Sequence, residues 1–339
     1  MKKIQKLWLI MMLLLIMFTF SLPVWANSIQ AIFYVSPQGS DQNPGTLELP
    51  FQTIERARDA VREINKDMQG DIVVYLRDGV YELERTIEFN EQDSGTNGYR
   101  VIYQAYPGEN PVISGGKQVT GWEQHEGNIY KATLVRDTKL RALYINDQRA
   151  VMARQKVIAQ GGYGNYRVRK EQADWAWSDG SFFDGVKYNL ADLPELSHPE
   201  DVEITTSSTW NLNLVTVRGQ TTTDEHRILL LQQPYGAVAQ SFGWGTDFKL
   251  SGEQILHNAY EFLDEPGEFY FDKTTHTLYY FKHDDEDLST ATVIAPMVEG
   301  LLSIKGSSLT SRVENLSFVG LTFAYSDWNL VTIGDSRGQ

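Results

Sequence analysis

The chain has 339 residues, of which 42% are hydrophobic and 12% aromatic, with a formal net charge of −14 and no cysteine. This size and apolar content exclude a disordered chain and suit one large globular domain or two ordinary ones. The acidic balance disfavours nucleic acid and anionic membranes as partners. Without cysteine there is no disulfide, thiolate nucleophile or cysteine-based metal site.

Residues 1–26 have the pattern of a secretory signal peptide. Three lysines precede an apolar run from Leu7 to Phe20, and a proline and small residues follow it up to Ala26. Cleavage near Ala26 leaves 27 of the 30 basic residues against 44 acidic ones, a formal charge of about −17. The alternative is an uncleaved membrane anchor, because residues 7–26 are just long enough to cross a bilayer. Both interpretations place the body of the protein outside the cytoplasm, and the first predicts secretion.

A single amphipathic helix is predicted near the start of the mature chain. A short strand at 32–35 leads through a loop rich in Gly, Asn and Pro to residues 53–66. There Ile54, Ala57, Val61 and Ile64 recur at spacings of three and four, which is typical of a helix with one apolar face. The apolar face of this helix must pack against another apolar surface.

From residue 71 onward the pattern predicts strands and no further helix. Residues 267–281, GEFYFDKTTHTLYYF, predict a hairpin whose turn lies at 272–277. After Pro296 short strands return in LLSIKG, VENLSFVGLTFAYS and NLVTIGD, and strands joined by turns at regular intervals favour the coils of a parallel β-helix. The first predicted strands are 72–76, 86–89, 100–105 and 111–115.

Several segments resemble a known group of proteins. YVSPQGSDQNPGT…PFQTIERARDAVR, LRDGVYEL, VIYQAYPGENPVISGG, LRALYINDQRAVMARQ and PGEFYFDKTTHTLYYF follow one another between residues 31 and 328. In this order they resemble the N-terminal portion of secreted bacterial right-handed parallel β-helix glycoside hydrolases of the xylosidase, xylanase and fucosidase types, within the pectin-lyase-like superfamily. The opening also resembles, more distantly, β-helix pectate lyases.

The resemblance implies an all-β fold: the start of a right-handed parallel β-helix with an N-terminal capping helix and an inserted β-rich domain. The implied segments are a signal peptide at 1–26, the cap and first coils at 27–116, the insertion at 117–300 and resumed, incomplete coils at 301–339. In the resembling hydrolases the catalytic carboxylates follow the point that matches FAYSDW. We therefore expect a truncated chain that lacks the catalytic coils, is inactive alone and self-associates through an open β-helix end. No catalytic residue and no cofactor is assigned.

Aromatic residues in loops rich in Gly, Ser and Asn are the candidate sugar-binding residues. Sugars stack their C–H faces on aromatic rings while polar neighbours take the hydroxyls. Core packing is the alternative for each aromatic residue, and ion pairing is the alternative for the two arginines. The candidates are Trp175, Trp177, Trp210, Trp244, Tyr163, Tyr166, Arg149 and Arg154.

No metal site is predicted, although one loop leaves calcium open. The six histidines are scattered, which does not support zinc. In DQNPGT, residues 41–46, Asp41 and Asn43 suit an Asx turn but also alternate as oxygen ligands would around calcium. Asp327 and Asp335 flank the last predicted strand, and we interpret them as solvated turn acids rather than as a glycosidase pair.

The expected function is hydrolysis of a neutral or weakly charged plant cell-wall or other extracellular polysaccharide. The partner is then an oligo- or polysaccharide, with no nucleic acid and no membrane after signal cleavage. One alternative is a β-helix polysaccharide lyase, which the acidic charge and the lack of an evident basic cluster disfavour. The other is a non-catalytic glycan-binding or cell-surface module.

Overall fold

The structure is a computed structural model that describes residues 28–168, 180–208, 210–242 and 245–328. The predicted signal segment 1–26 lies outside them. The described chain is mostly β and divides into two compact units. Unit 1 holds residues up to 79 together with 88–111 and 304–321, and unit 2 holds 80–87, 112–303 and the residues from 322 onward.

The strands of the described residues are numbered in chain order. They are β1 (Ile29–Val35), β2 (Asp71–Leu76), β3 (Val80–Glu82), β4 (Ile87–Phe89), β5 (Val101–Ala105), β6 (Val112–Ser114), β7 (Gly116–Gln118), β8 (Glu123–Glu126), β9 (Ile129–Thr133), β10 (Tyr144–Ile145), β11 (Gln148–Arg149), β12 (Val151–Met152), β13 (Arg154–Tyr163), β14 (Tyr166–Val168), β15 (Gly180–Phe182), β16 (Gly185–Asn189), β17 (Glu203–Ser207), β18 (Leu212–Thr222), β19 (His226–Leu231), β20 (Ser251–His257), β21 (Glu268–Asp272), β22 (Thr277–Phe281), β23 (Val293–Pro296), β24 (Leu302–Ile304), β25 (Leu316–Val319) and β26 (Thr322–Ala324).

Two α-helices occur within the described residues, α1 (Ile54–Ile64) and α2 (Tyr235–Gln240). The expectation that no helix follows residue 71 is therefore wrong. Helix α2 lacks a Ser, Thr, Asn or Asp at its start, and the side-chain oxygen of Gln233 instead accepts the backbone N–H of Ala237 at 3.1 Å. None of the described helices is long and apolar enough to span a membrane. Single 3₁₀ turns lie at Asn65–Asp67, Glu91–Asp93, Pro199–Asp201 and Tyr260–Phe262.

Unit 1 is built on a four-stranded parallel sheet in the order β1-β2-β5-β25. Its register stacks side chains in rows across the strands, and one such row is Val74, Tyr103 and Phe318. The rings of Tyr103 and Phe318 stack at 5.5 Å, and Phe89 meets both edge-on at 5.3 Å. Because these rings are large and Phe89 and Tyr103 are fully buried, the row supplies much of the apolar burial of unit 1.

Helix α1 confirms the predicted amphipathic segment. Ile54, Ala57 and Val61 are buried along one face, as the spacing predicted. The side chain of Thr53 caps the first turn by accepting the backbone N–H of Arg56 at 3.1 Å.

The carboxylate of Asp41 fixes the chain that enters α1. It accepts the backbone N–H groups of Gln52 and Thr53, both at 2.9 Å, and the Thr53 hydroxyl at 2.8 Å. The amide of Asn43 donates to the Pro50 carbonyl at 2.9 Å. Both side chains therefore have protein partners 7 to 12 residues along the chain, whereas an Asx turn would use the backbone two residues on.

Besides a barrel, unit 2 contains three sheets of three to five strands. A three-stranded parallel sheet has the order β26-β6-β3, and a four-stranded antiparallel sheet has the order β11-β10-β23-β7. The third is a five-stranded sheet in the order β12-β21-β22-β9-β8. Within it, β21 and β22 form the hairpin predicted for 267–281, with Asp272 opposite Thr277 at the turn.

A closed six-stranded barrel forms the largest part of unit 2, in the order β13-β16-β19-β18-β17-β20. Every neighbouring pair is antiparallel, and β13 closes the barrel on β20 from Arg154 opposite His257 to Gln160 opposite Ser251. Alternate residues of its strands join one buried apolar cluster, among them Val186, Tyr188 and Leu256. The resemblance implied a β-rich insertion here but no barrel.

The parallel sheets and the β-rich middle agree with a mostly β fold. The right-handed parallel β-helix and the four segment boundaries remain predictions.

Candidate functional site

The two predicted arginines lie in different strands. Arg154 begins β13, and Arg149 in β11 donates to the Arg141 carbonyl at 3.5 Å. Tyr163 ends the same ten-residue strand, nine residues after Arg154, and is 37% exposed. Ten extended residues span about 30 Å, so Arg154 and Tyr163 cannot contact the same sugar unit.

The other predicted aromatic residues are spread further. Tyr166 in β14 packs with Phe182 against a small buried cluster. Trp210 is 75% exposed just before β18. Trp175, Trp177 and Trp244 lie outside the described residues. Sugar binding by these residues stays a prediction, and the structure does not bring the described ones into one cleft.

A buried charged cluster lies between the segment that follows β9 and the barrel. Glu203 begins barrel strand β17 and is 1% exposed. Its carboxylate accepts two hydrogen bonds from the guanidinium of Arg141, one of them at 2.8 Å, and the ammonium of Lys139 lies 3.4 Å away. Since both cations come from residues 134–143, this cluster ties that segment to the barrel.

The cluster keeps Glu203 ionised. Burial alone would raise the pKa of Glu203, but the hydrogen bonds from Arg141 and the charge of Lys139 outweigh it and hold the pKa below its usual value. Burial lowers the pKa of Lys139, and it also lowers that of His257, which pairs across the strands with both Glu203 and Arg154. The imidazole is therefore neutral at physiological pH.

Trp328 forms the exposed edge of this cluster. The guanidinium of Arg141 lies 5.2 Å from the centroid of its ring, and the side chain is 44% exposed. Because Arg141 is fixed by Glu203, the indole is supported from beneath by a cation–π contact. Nearly half of Trp328 is thus accessible to solvent.

Asp327, which precedes Trp328, is buried. One of its oxygens pairs with the guanidinium of Arg136 at 2.5 Å, while the other has no hydrogen-bond partner among the described residues. The interpretation of Asp327 as a solvated turn acid is therefore wrong. Asp335, its predicted counterpart, lies outside the described residues.

The backbone is strained at Tyr325, two residues before Asp327. Tyr325 has φ +59, a left-handed conformation that bulky residues rarely adopt. Its ring meets that of Tyr144 at 5.0 Å, and its hydroxyl bonds to the Asp147 carboxylate. Burial and this hydrogen bond raise the pKa of Tyr325 to about 12. These contacts hold an otherwise unfavourable conformation in place.

Trp328, with Tyr325 and the Asp147 carboxylate that bonds to the Tyr325 hydroxyl, is here called the Trp328 surface. It offers an aromatic ring for stacking and a carboxylate for hydroxyls, which is the chemistry of sugar binding.

The groups around the Trp328 surface do not supply an acid–base pair. Glycoside hydrolysis needs one carboxyl that keeps its proton until it donates it. Glu203 is held ionised by its cations. Burial raises the pKa of Glu268 to about 7, but this residue is 3% exposed and out of reach of a polymer. The described residues thus support binding, and the catalytic residues stay unassigned.

Sequence reasoning missed this cluster, although a signal was present. Three cationic residues, Arg136, Lys139 and Arg141, lie within a stretch of six residues, although the chain as a whole is acidic. The expectation that the chain lacks a basic cluster is wrong, but Glu203 and Asp327 offset much of its charge. Within the described parts of the chain, no group of three or more His, Asp or Glu side chains has a geometry that could hold a metal ion.

Comparison with known proteins links the chain to glycoside hydrolases. Residues 130–283 match the family model of the GH141 insertion domain. This range runs from β9 to the end of the β21–β22 hairpin and contains the whole barrel. A solved structure described as a glycoside hydrolase superimposes on 90% of this chain and 52% of its own, with a TM-score of 0.74 and 22% identity. That similarity shows the fold.

Two curated proteins match shorter segments. The uncharacterized protein YwoF of Bacillus subtilis (strain 168) is 42% identical over 82 residues, which is 24% of this chain and 15% of that protein. Pectate lyase PEL9 of Emericella nidulans is 35% identical over 85 residues, 25% of this chain and 18% of the lyase. The matches thus span under a fifth of each curated relative and about half of the solved hydrolase. They support the glycoside-hydrolase resemblance without selecting a subtype.

Proposed function

We propose that this chain is a secreted bacterial carbohydrate-active protein of the glycoside hydrolase type, which acts on a neutral or weakly charged plant cell-wall or other extracellular polysaccharide. The match of residues 130–283 to the GH141 insertion domain carries the proposal. The Trp328 surface supports it, because an open indole beside fixed polar groups suits a sugar ring. Secretion rests on the signal pattern of residues 1–26.

The proposed fold is a right-handed parallel β-helix with an insertion. Three times along the chain, a strand of the parallel sheet β1-β2-β5-β25 is followed by a strand of the parallel sheet β26-β6-β3. These steps run from β2 to β3, from β5 to β6 and from β25 to β26. Each passage is interpreted as part of one coil, and parallel crossover connections are right-handed in about 98% of cases. By this interpretation the barrel belongs to the insertion between the second and third passages.

A polysaccharide lyase is the second candidate, favoured by the match to Pectate lyase PEL9. A lyase needs a base beside a uronate carboxylate. Lys139 has a pKa lowered by burial, as a base requires, but it is committed to Glu203 and its side chain is only 15% exposed. The hydrolase type is therefore the better-supported proposal.

The test incubates the purified chain with xylan, arabinoxylan, xyloglucan and polygalacturonate. New reducing ends without ultraviolet absorbance support a hydrolase, whereas unsaturated, absorbing ends support a lyase. Binding without turnover, measured by affinity electrophoresis, agrees both with the expectation that this chain is inactive alone and with a glycan-binding module. Neither binding nor turnover on any polymer overturns the proposal.

Trp328→Ala and Trp210→Ala form a matched pair for locating the contact. Both remove an exposed indole, but only Trp328 rests on a fixed cation. We expect Trp328→Ala to weaken glycan binding about tenfold and Trp210→Ala to leave it within about twofold. The reverse order of effects would reject the Trp328 surface in favour of the sequence-predicted residue.

A further inference from the structure

A cavity of about 460 Å³ lies in unit 2, where residues 118–122, Tyr130 and residues 282–291 meet. Its volume falls within the roughly 300–1,000 Å³ typical of small-molecule sites. It shares no residue with the Trp328 surface. None of the aromatic residues predicted to bind sugar lines it.

Two aromatic side chains line the cavity in fixed orientations. The indole N–H of Trp122 donates to the Val119 carbonyl at 3.3 Å, and the ring of Tyr280 packs against Trp122 at 6.3 Å and 66°. The ammonium of Lys282 lies 6.0 Å from the centroid of Tyr130 and donates to the His283 carbonyl at 3.0 Å. Since the polar edge of Trp122 is already bonded, its ring can offer a face without rearrangement.

Two carboxylates, Glu286 and Asp287, also line the cavity. Glu286 is occupied within the protein, since its oxygens accept the Tyr280 hydroxyl at 3.0 and 2.8 Å and the His283 N–H at 2.9 Å. Asp287 is exposed, and hydrogen bonds from the hydroxyl and N–H of Ser289 lower its pKa. An ionised Asp287 therefore offers acceptor oxygens at the opening.

The charge of this lining selects the ligand. Two carboxylates face one ammonium that already has a backbone partner, so the cavity repels a carboxylated sugar. Acceptors beside aromatic faces suit hydroxyl groups and C–H faces together. Neutral donors and acceptors from Gln118 and Thr120 complete the polar lining.

We propose that this cavity is a binding site for a short neutral oligosaccharide, with Trp122 as the stacking ring and Asp287 as a hydroxyl acceptor. The inference rests on the proposed function, since it names the sugar class that this second site takes. It predicts that neutral sugars bind here and that uronates do not.

Calorimetric titration of the full chain with xylo-oligosaccharides, cello-oligosaccharides and oligogalacturonides tests the site. We expect a neutral series to bind and the galacturonides to fail. Trp122→Ala should weaken the neutral ligand about tenfold, Trp122→Phe should retain most of the affinity, and Trp210→Ala should change nothing. Thermal unfolding checks that each variant folds. Should Trp122→Ala not fold, Thr120→Trp, which fills the cavity from an exposed position, must weaken binding instead.

The outcomes separate this site from the wider proposal. The cavity site is overturned if Trp328→Ala removes glycan binding while Trp122→Ala and Thr120→Trp leave it unchanged. The proposed carbohydrate function is then still supported. If galacturonides bind as tightly as the neutral oligosaccharides, and Trp122→Ala removes that binding, the assignment of the cavity to neutral sugars is overturned. If no glycan of either charge binds the wild-type chain or is turned over by it, both proposals fall.

Discussion

Replacement of Glu203 by Gln should destabilise unit 2 severely. The substitution keeps the size of the side chain but removes the negative charge that Arg141 and Lys139 share. The side chains of Glu203 and Arg141 are only 2% and 5% exposed, so water cannot replace the lost partner. Removing one member of a buried ion pair costs about 3–5 kcal/mol, because the remaining charge stays buried and unpaired.

Urea unfolding followed by circular dichroism measures this loss, and Glu253→Gln is the control. Glu253 also belongs to a barrel strand, but its pair with Lys156 at 2.6 Å is more than half exposed on both sides. An exposed pair contributes less than about 1 kcal/mol. Equal, small losses for the two variants would refute the claim that the charge of Glu203 is critical.

The pH dependence provides a second check. The folded-state pKa of Glu203 lies below the ordinary 4.5, so its stabilisation is present above that value and is lost as the pH falls through the lowered pKa. The difference between wild type and Glu203→Gln should therefore shrink under acid conditions. The triple variant Lys139→Met/Arg141→Met/Glu203→Leu should lose less than Glu203→Gln, because it removes the carboxylate and both of its cations and so leaves none of these three charges unpaired. A pH-independent difference would contradict the mechanism.

Two further substitutions test other parts of the chain. Burial raises the pKa of Glu268 from 4.5 to about 7, so the folded protein loses stability as the pH rises across that interval. Glu268→Gln should then raise the melting temperature more at pH 8 than at pH 4, by the equivalent of about 1–3 kcal/mol, and an equal effect at both would oppose this. Asp41→Ala removes the acceptor for two backbone N–H groups ahead of α1 and should lower the free energy of unfolding of unit 1 by about 1–2 kcal/mol in urea. Asp41→Asn, which keeps an acceptor, should lose less than half of that.

Local features were predictable because neighbouring residues determine them. The amphipathic helix at 54–64 follows from apolar spacing, and the hairpin at 268–281 follows from alternation around a polar turn. Both depend on contacts within about fifteen residues. The early strands at 71–76, 87–89 and 101–105 agree with their predicted positions for the same reason.

The candidate sites were not predictable, because they join distant parts of the chain. Asp327 looked like a surface acid until the fold placed Arg136, 191 residues earlier, against it. Trp122 and Asp287 meet at one cavity only after the five-stranded sheet and its adjoining loops have assembled. No local pattern reports such a pairing.

The sequence by itself determined the mostly β character, the amphipathic helix α1 of the described residues and the acidic, cysteine-free composition. Tertiary structure alone decided that six strands close into a barrel, since closure depends on β13 pairing with β20 about a hundred residues later. It also decided which charges are buried and which aromatic faces stay open. Burial and accessibility depend on the neighbours a residue acquires in space, and along the chain those neighbours are far apart.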